Sequence, residues 1–343
     1  MTHSVVRRLG APLSGPLWGQ LFHLVEQRGL PRTSVWSHKA HWTRFTVPKP
    51  DGSRRPIEAP DDLTKAMARV LDAWLWKQWS PRFESGFKPG EGTPEVLDRL
   101  AEWRSRRFGI VALDLASAFS RVHASQVNSA LRALGMDKSI RRLAVRTACR
   151  DGWLVMGSPV APQLFALVVE QALFHVEREF MPGCEVIAYA DDVYVATPEG
   201  APLPRRWKRR LSKLLWVHAR QRLNTRKTEF VSPRSPLHAL GVRISRTGNN
   251  TALRPATQSR MHAMQAAARG DGQWRTLHGP VDASAAAESA KRWASLVLHT
   301  ATCGEQYAEW LYRGGSSPEE HGLLDSVVER TQRGGHPACL ALV

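Results

Sequence analysis

Two adjacent aspartates interrupt an apolar, β-branched segment of the chain, VIAYADDVYVAT at 186–197. The flanking residues favour two buried strands, and neighbouring side chains on a strand point to opposite faces. Asp191 and Asp192 therefore share one site only if the backbone turns between the two arms, which predicts a hairpin with both carboxylates at its tip. Two like charges there cost free energy unless something neutralises them. A divalent cation is the natural partner, because Mg²⁺ prefers one or two carboxylates together with phosphate oxygens.

A third carboxylate follows another apolar segment. Asp114 comes directly after GIVAL at 109–113, which reads as a buried strand. If that strand pairs with the hairpin, Asp114 lies beside Asp191. Two metal ions held by such carboxylates can activate an attacking hydroxyl and stabilise a pyrophosphate leaving group. The alternative for an isolated Asp-Asp pair is a solvent-exposed turn, and the strand that ends at Asp114 favours the metal site.

The excess of basic residues predicts a polyanionic partner, most simply nucleic acid. Lys and Arg total 48 against 31 Asp and Glu, which gives a formal charge of +17. The segment PRRWKRRLSK at 204–213 is the clearest candidate for a phosphate-binding patch, since six of its ten residues are basic. A solvated face of a basic helix is the alternative. The candidate phosphate contacts are Arg205, Arg206, Lys208, Arg209 and Arg210.

Cysteine spacing and hydropathy point to an intracellular protein. The four cysteines form no CxxC pair, so neither a zinc knuckle nor a disulfide framework is indicated. The first residues lack the apolar region of a signal peptide, and no apolar run approaches the length of about 18 residues that a membrane span needs. We expect no membrane partner.

The order of the elements predicts an α+β fold. A helix at 16–29, a strand–turn–strand pattern at 45–60 and a helix at 61–79 come first, and 107–122 opens as a strand and turns helical before a helical segment at 123–147. The later predicted elements are a strand, turn and apolar helix at 152–180, the aspartate hairpin, a basic helix at 205–223, strands in TEFVSP and HALGVRIS, and helices from about 255 to 312. This order indicates an antiparallel sheet with helices packed on one face.

Seven segments resemble motifs of the reverse transcriptase family, and they occur in the family's order between about 45 and 245. AYADDVYV resembles the YxDD motif, VALDLASAFSRV the first palm motif, MGSPVAPQLFAL the Gly-x-Pro-x-x-Pro motif, and LNTRKTEFVSP the lysine-containing fourth motif. HALGVRIS resembles the Leu-Gly primer-grip hairpin, and FTVPKPDGSRRPIEAP the basic fingers hairpin. SGFKPGEGTPEVL resembles the GF-rich motif common in bacterial and group II intron enzymes. One departure is Met156, where many family members have Gln.

The resemblance implies a right-hand polymerase with fingers, palm and thumb. Residues 1–106 would form the lead-in and fingers, and 107–245 the palm, with fingers elements interleaved at about 123–155. Residues 246–343 would form a small helical thumb and C-terminal tail. The resemblance points most closely to stand-alone prokaryotic enzymes of defence, retron or group II intron type.

The resemblance also assigns roles to single residues. Asp114, Asp191 and Asp192 would bind two Mg²⁺ ions, with Mn²⁺ as a possible substitute, and Leu115 would contribute to metal and nucleotide binding. Lys227 would contact the triphosphate or protonate the leaving pyrophosphate. The remaining assignments are triphosphate contacts at Lys49, Arg54 and Arg55, a steric gate at Phe119, a nucleotide floor at Gly157 and Pro159, and a primer grip at Leu240 and Gly241. Of the two fingers arginines, Arg55 is favoured because it directly precedes the Pro-Ile of the family pattern.

The predicted function is that of an RNA-directed DNA polymerase, a nucleotidyltransferase that makes cDNA. Its partners would be an RNA template, a DNA or RNA primer and dNTPs, with a structured non-coding RNA and an accessory protein as further candidates. We expect a cytoplasmic protein, or a nuclear one if it comes from a eukaryotic retroelement. The alternatives are an RNA-binding scaffold that keeps the fold, and an RNA-dependent RNA polymerase. The intact aspartates disfavour the first, and Phe119 disfavours the second.

Overall fold

The computed structural model describes residues 15–48, 54–83, 92–248, 251–253, 275–276 and 279–280. The chain divides into two compact units. One comprises residues 1–88 and 111–229, and the other comprises 89–110 and 230–343. The predicted thumb lies largely outside the described residues, and the predicted boundaries of fingers, palm and thumb stay predictions.

Eight α-helices lie within the described residues. They are α1 (Gly15–Glu26), α2 (Ser34–Ser37), α3 (Asp62–Gln78), α4 (Thr93–Ser105), α5 (Ala124–Ala133), α6 (Lys138–Ala148), α7 (Ala161–Glu179) and α8 (Trp207–Ala219). A short 3₁₀ turn covers Phe119–Arg121. None of these helices is both long enough and apolar enough to span a lipid bilayer.

The described strands form small sheets. They are β1 (Trp42–Pro48), β2 (Arg54–Pro60), β3 (Gly109–Asp114), β4 (Cys149–Arg150), β5 (Trp153–Leu154), β6 (Glu185–Tyr189), β7 (Asp192–Thr197), β8 (Glu229–Val231), β9 (Leu237–Ala239), β10 (Val242–Ile244), β11 (Thr251–Leu253), β12 (Arg275–Thr276) and β13 (Gly279–Pro280). The largest sheet has the strand order β6-β7-β3-β8. A second sheet, in the order β11-β10-β9, is antiparallel throughout.

The core of the first unit forms around α7, because this helix is apolar on most of its circumference. Leu164, Phe165 and Val176 of α7 are fully buried in one cluster with Val193 and Val195 of β7. Alternation explains the two valines, since residues two apart on a strand share a face. The core therefore supports the hairpin of β6 and β7 from behind.

A buried arginine organises the second unit. Arg104 of α4 donates hydrogen bonds to the carbonyls of Phe108, Ser232 and Pro233 at 2.9, 3.1 and 3.0 Å, and it also contacts the carbonyl of Ser235. Its guanidinium thus binds α4 to the chain that follows β8. Burial lowers the pKa of Arg104.

The predicted α+β class with antiparallel sheets is confirmed. The segment predicted to be helical at 123–147 is helical, and it consists of two helices, α5 and α6. The break has two causes. Gly135 adopts a left-handed φ of +80°, and the Asp137 carboxylate then accepts hydrogen bonds from the amides of Ser139 and Ile140, which starts the next helix.

Candidate active site

The paired aspartates lie at the turn of the β6–β7 hairpin, as the sequence predicts. The antiparallel register pairs Tyr189 with Asp192, which leaves Ala190 and Asp191 as a two-residue turn. Ala190 has a φ of +56°, a left-handed conformation that reverses the chain within two residues. Asp191 therefore occupies the turn itself and Asp192 opens β7, with both side chains exposed.

Asp114 ends β3, which is the neighbour of β7 in the sheet. Its backbone is held on both sides. The amide of Asp114 donates to the hydroxyl of Thr228 at 3.2 Å, and its carbonyl accepts from the amide of Asn224 at 2.8 Å. Thr228 is almost fully buried, so the end of β3 is fixed beside the hairpin tip.

Electrostatic coupling shows that the three carboxylates lie close together. The pKa of Asp192 is raised to about 6, first by removal of its carboxylate from bulk water and then by the negative charges of Asp191 and Asp114. The side chain keeps some exposed surface, yet the surrounding protein displaces enough water to disfavour its charge. The cluster thus carries negative charge in excess of its neutralising partners.

Among the described residues, Lys227 is the cation that acts on Asp192 in the opposite direction, lowering its pKa. It lies in the turn that precedes Thr228 and is exposed. Its side chain is therefore free to approach the phosphates of a nucleotide bound at the carboxylates. The sequence grouped Lys227 with the aspartates, and the structure brings the four residues together.

The donor set of this cluster fits hard divalent cations. It offers carboxylate oxygens from three residues, and Mg²⁺ and Mn²⁺ favour oxygen ligands. Asp114, Asp191 and Asp192 are the residues that would hold such ions. Leu115 presents a buried side chain and pairs with Leu223 through a backbone bridge, so only its main chain is available for the predicted contact.

The two fingers arginines differ in their freedom. The Nε of Arg54 donates to the hydroxyl of Thr46 at 2.6 Å, and its guanidinium also reaches the carbonyl of Thr46. The side chain of Arg55 is exposed and makes no hydrogen bond or ion pair with the described residues. Arg55 is thus the better candidate to contact an incoming triphosphate. Lys49 lies outside the described residues.

Gly157 explains how the fingers hairpin packs against the turn before α7. The amide of Glu58 in β2 donates to the carbonyl of Met156 at 3.0 Å. A Cβ on Gly157 would lie 2.5 Å from the carbonyl oxygen of Glu58, and Gly157 has a φ of +128°. The position therefore requires glycine for two independent reasons. Pro159 lies two residues on, half-buried, just ahead of α7.

Phe119 lies on the 3₁₀ turn after β3 and is mostly buried. Its ring stacks on Phe165 of α7, with centroids 4.7 Å apart and an angle of 22° between the planes. Only 8% of the residue is exposed. Any contact with a sugar therefore involves the small exposed part of a ring that the core holds rigidly.

The basic residues in and just before α8 form two groups: some bind backbone carbonyls, and others do not. The Nζ of Lys208 donates to the carbonyl of Thr225 at 2.7 Å, and Arg210 donates to the carbonyl of Glu179. Arg205, Arg206 and Arg209 are exposed and have no such partner in the described part of the chain. These three remain suited to phosphate, since the first turn of α8 holds no acidic residue.

The segment assigned to the primer grip forms a tight hairpin in the second unit. Ala239 pairs with Val242, which leaves Leu240 and Gly241 as the turn. Their φ values of +47° and +81° match the turn type in which both central residues are left-handed. Gly241 thus has a clear conformational role, and its predicted contact with a primer stays a prediction.

Sequence reasoning missed the groups that hold Asp114 in place. The amide of Ala116 donates to the carbonyl of Arg222 at 2.8 Å, next to the contacts made by Asn224 and Thr228. Within the segment 222–228, Lys227 is the residue whose role a recognisable motif predicts. The others act mainly through their backbone or a small hydroxyl, which leaves little signal in a single sequence.

Comparison with known proteins decides the family. The sequence model of the family described as "Reverse transcriptase (RNA-dependent DNA polymerase)" matches residues 47–244, more than half of the 343 residues. The chain belongs to the reverse transcriptase family. The match confirms the predicted family, whereas the activity of the protein and the roles of single residues stay predictions.

Solved telomerase structures are similar to this reverse transcriptase. Apo telomerase from Candida tropicalis matches with a TM-score of 0.47 and 11% identity, over 74% of this chain and 51% of that one. Telomerase from Candida albicans, solved with a TWJ fragment of telomeric RNA, matches with a TM-score of 0.47 and 10% identity, over 85% and 61%. The chain thus spans between 51% and 61% of these two proteins.

Proposed function

We propose that this protein is an RNA-directed DNA polymerase that extends a 3′-hydroxyl on an RNA template, using Mg²⁺ and dNTPs. The observation that carries the proposal is the convergence of Asp114, Asp191 and Asp192 at the β6–β7 turn. The raised pKa of Asp192 is the effect expected of a carboxylate that lies beside other negative charges with no cation bound. Divalent ions would neutralise such a cluster, and substrate phosphates would supply the remaining ligands of those ions.

Two divalent ions, when bound, would lower the pKa of the primer hydroxyl and neutralise charge on the departing pyrophosphate. Asp114 and Asp191 would hold them most directly, because β3 and the turn fix their backbones. Asp192 would lie closer to the primer end. Mn²⁺ would substitute, since it accepts the same oxygen ligands.

The surrounding side chains would orient the incoming nucleotide. Arg55, free in the structure, would bind the triphosphate through its planar guanidinium. Lys227 would contact the same phosphates or give a proton to the pyrophosphate. Phe119, held by Phe165, would exclude a 2′-hydroxyl by the rigidity of its position. Gly157 and Pro159 would form the floor beneath the base.

The template and primer would be bound by positive charge and by the hairpin of the second unit. Arg205, Arg206 and Arg209 are the free cations of α8 and would contact phosphates. Leu240 and Gly241 would contact the primer. We keep a structured non-coding RNA and an accessory protein as candidate partners, with a bacterial defence, retron or mobile-element system as the setting and the cytoplasm as the compartment. The GF-rich segment SGFKPGEGTPEVL supports that setting.

Primer extension tests the proposal. The chain would receive an RNA template, a DNA primer, Mg²⁺ and either dNTPs or NTPs. We expect extension with dNTPs, and its loss in Asp191→Asn and Asp192→Asn. Asp151→Asn is the matched control, because Asp151 is an exposed turn aspartate that pairs with Arg150 at 3.4 Å. Its variant should extend primers as the parent chain does.

The outcomes separate the alternatives. Extension with NTPs alone would mean an RNA polymerase. RNA binding without any extension, unchanged in Asp192→Asn, would mean a scaffold. Sequencing of the RNA and DNA that purify with the protein would identify the template, and a dedicated RNA encoded next to the gene would support the bacterial setting.

A further inference from the structure

Three potential metal ligands meet between α7 and α8, apart from the carboxylate cluster. His175 and Glu179 are one turn apart on α7, and His218 lies on α8. One ligand atom from each lies within 4.8 Å of the others. The two imidazole rings are stacked, with centroids 3.5 Å apart and planes inclined by 9°.

The position of this cluster favours a cation. Glu179 is the last residue of α7, and His218 lies in the last turn of α8. The C-terminal end of a helix carries partial negative charge from its unpaired carbonyls, and His218 lies at such an end. A carboxylate at that place adds to the negative charge. Arg210, near the start of α8, contacts the carbonyl of Glu179 and is a cation already present on that side.

The charge states of two of the three ligands suit a metal. Burial lowers the pKa of His218, which favours its neutral imidazole. The hydrogen bond from His175 lowers the pKa of Glu179, which favours its carboxylate. A metal binds both groups in these forms.

The residues behind the cluster can support one bound tautomer. In the structure Nδ1 of His175 contacts Glu179, and Nε2 of His175 lies 3.0 Å from the amide nitrogen of Gln171. A metal would replace the proton between His175 and Glu179. His175 would then carry its proton on Nε2. After a rotation of the Gln171 amide, Nε2–H would donate to the amide oxygen of Gln171. A metal-bound histidine usually makes such a hydrogen bond through its other ring nitrogen.

We propose that His175, Glu179 and His218 form a zinc site that joins the C-terminal part of α7 to the last turn of α8. Zinc accepts two imidazoles and a carboxylate, with a fourth position left for water. Ligand atoms on a tetrahedral zinc ion are about 3.4 Å apart. Side-chain rotations that shorten each distance between ligand atoms by at most about 1.4 Å would therefore bring the three atoms to zinc-binding distances. The rings must also rotate so that their lone pairs converge.

Mg²⁺ is not the expected occupant, because it prefers oxygen ligands in octahedral geometry. Access to the site is open. His218 and Gln171 line a cavity of about 940 Å³, which provides an entry path and space for the fourth ligand. The site is independent of the proposed polymerase activity, since it shares no residue with the carboxylate cluster.

Zinc titration of the full chain tests this proposal. The protein is first treated with a chelator, then titrated with Zn²⁺ in excess Mg²⁺ in the Asp192→Asn background, which removes a carboxylate of the other cluster. We expect one zinc ion per chain. His175→Gln, His218→Gln and Glu179→Gln should each weaken zinc binding by about 100-fold or more, because two protein ligands do not make a stable site.

His23→Gln is the matched control. His23 is a helical histidine whose Nε2 lies 2.8 Å from the amide nitrogen of Gln27, four residues away, much as His175 pairs with Gln171. This variant should bind zinc like the parent chain. Co²⁺ substitution gives a second readout. Co²⁺ bound by two imidazoles, one carboxylate and one water should show the visible absorption of a four-coordinate Co²⁺ ion.

Two outcomes overturn the proposal. One is the absence of a zinc ion in a chain that unfolds cooperatively. The other is equal zinc binding in His218→Gln and the parent chain. Thermal unfolding without zinc shows whether each variant folds, and a zinc-dependent rise in Tm that only the cluster variants lose would support the link between α7 and α8.

Discussion

The carboxylates of Asp114, Asp191 and Asp192 lie on strands and a two-residue turn, whereas His175, Glu179 and His218 lie in the C-terminal parts of two helices. The first cluster offers only oxygen atoms, and burial together with the negative charges of Asp191 and Asp114 raises the pKa of Asp192 to about 6. In the second cluster, the carboxylate of Glu179 already contacts the imidazole of His175. An oxygen-only cluster suits Mg²⁺ and substrate phosphates, and imidazoles suit zinc.

The two clusters also differ in what completes them. The proposed catalytic ions need ligands from a nucleotide and a primer, so the protein leaves the carboxylates exposed at a hairpin tip. The proposed zinc ion needs only a water molecule beyond its three protein ligands. Two properties therefore distinguish a cation site that forms only with substrate from a permanent one. They are the type of donor atom and the number of ligands that the protein itself supplies.

The largest expected effect follows from loss of a carboxylate in the first cluster. Asp114→Asn should lower the rate of dNTP incorporation by about 1000-fold or more, because one metal loses an anionic ligand in the transition state. Single-turnover primer extension measures the rate. Zinc binding should not change in this variant, and a parallel loss of zinc would break the distinction between the clusters.

The dependence of the first cluster on substrate phosphates gives the second prediction. Arg55→Ala should raise the KM for dNTPs by about 10- to 100-fold, because a charge-assisted contact to the triphosphate is lost. Arg54→Ala is the control and should have a much smaller effect, since Arg54 is occupied with Thr46. Steady-state kinetics with varied dNTP decides, and equal effects of the two variants would contradict the assignment.

The third prediction concerns the turn that packs on the fingers hairpin. Gly157→Ala should lower the free energy of unfolding by about 2 kcal/mol, because of the contact with Glu58 and the left-handed φ. Gly200→Ala is the control, since Gly200 has a similar positive φ of +72° and no atom within 4 Å of its ideal Cβ. Denaturant unfolding should show a larger loss for Gly157→Ala than for the control.

A buried carboxyl group provides the last prediction, whose effect vanishes at low pH. Burial raises the pKa of Asp72 on α3 to about 7, so the folded state holds its proton more tightly than the unfolded state. The free energy of unfolding should therefore fall as pH rises from about 4 to 7. Asp72→Asn should reduce this slope and stabilise the chain at pH 8 by about 2 kcal/mol, with little change near pH 4.

Urea unfolding across this pH range measures the effect of Asp72→Asn. Asp151→Asn serves as the control, because the Asp151 side chain is 86% exposed. Added Mg²⁺ should not alter the result for Asp72, which has no second carboxylate among the causes of its shift. An unchanged slope in Asp72→Asn would contradict the assignment.

The sequence predicted the carboxylate cluster because its residues belong to short motifs whose local geometry follows from chain continuity. Asp191 and Asp192 are adjacent, and Asp114 ends an apolar strand. The zinc cluster left only a weak signal, the one-turn spacing of His175 and Glu179. Its third member, His218, is brought close by the packing of α7 against α8, and no pattern within either helix specifies that packing.

Other features depend on contacts between distant segments. The carbonyl of Glu58 explains why Gly157 has no side chain, and three carbonyls after β8 explain the buried charge of Arg104. Composition and periodicity do not report such contacts. The division between α5 and α6 is different, because Gly135 and Asp137 are ordinary helix stop and start signals that were readable in the sequence.

Paramagnetic resonance of bound Mn²⁺ tests the central claim most directly. The chain would be combined with an RNA template, a primer that lacks its 3′-hydroxyl, and a matching dNTP. We predict two coupled Mn²⁺ ions about 3.5–4 Å apart, with the coupling lost in Asp191→Asn and kept in His218→Gln. Mn²⁺ binding that is the same in Asp191→Asn and the parent chain would contradict the account.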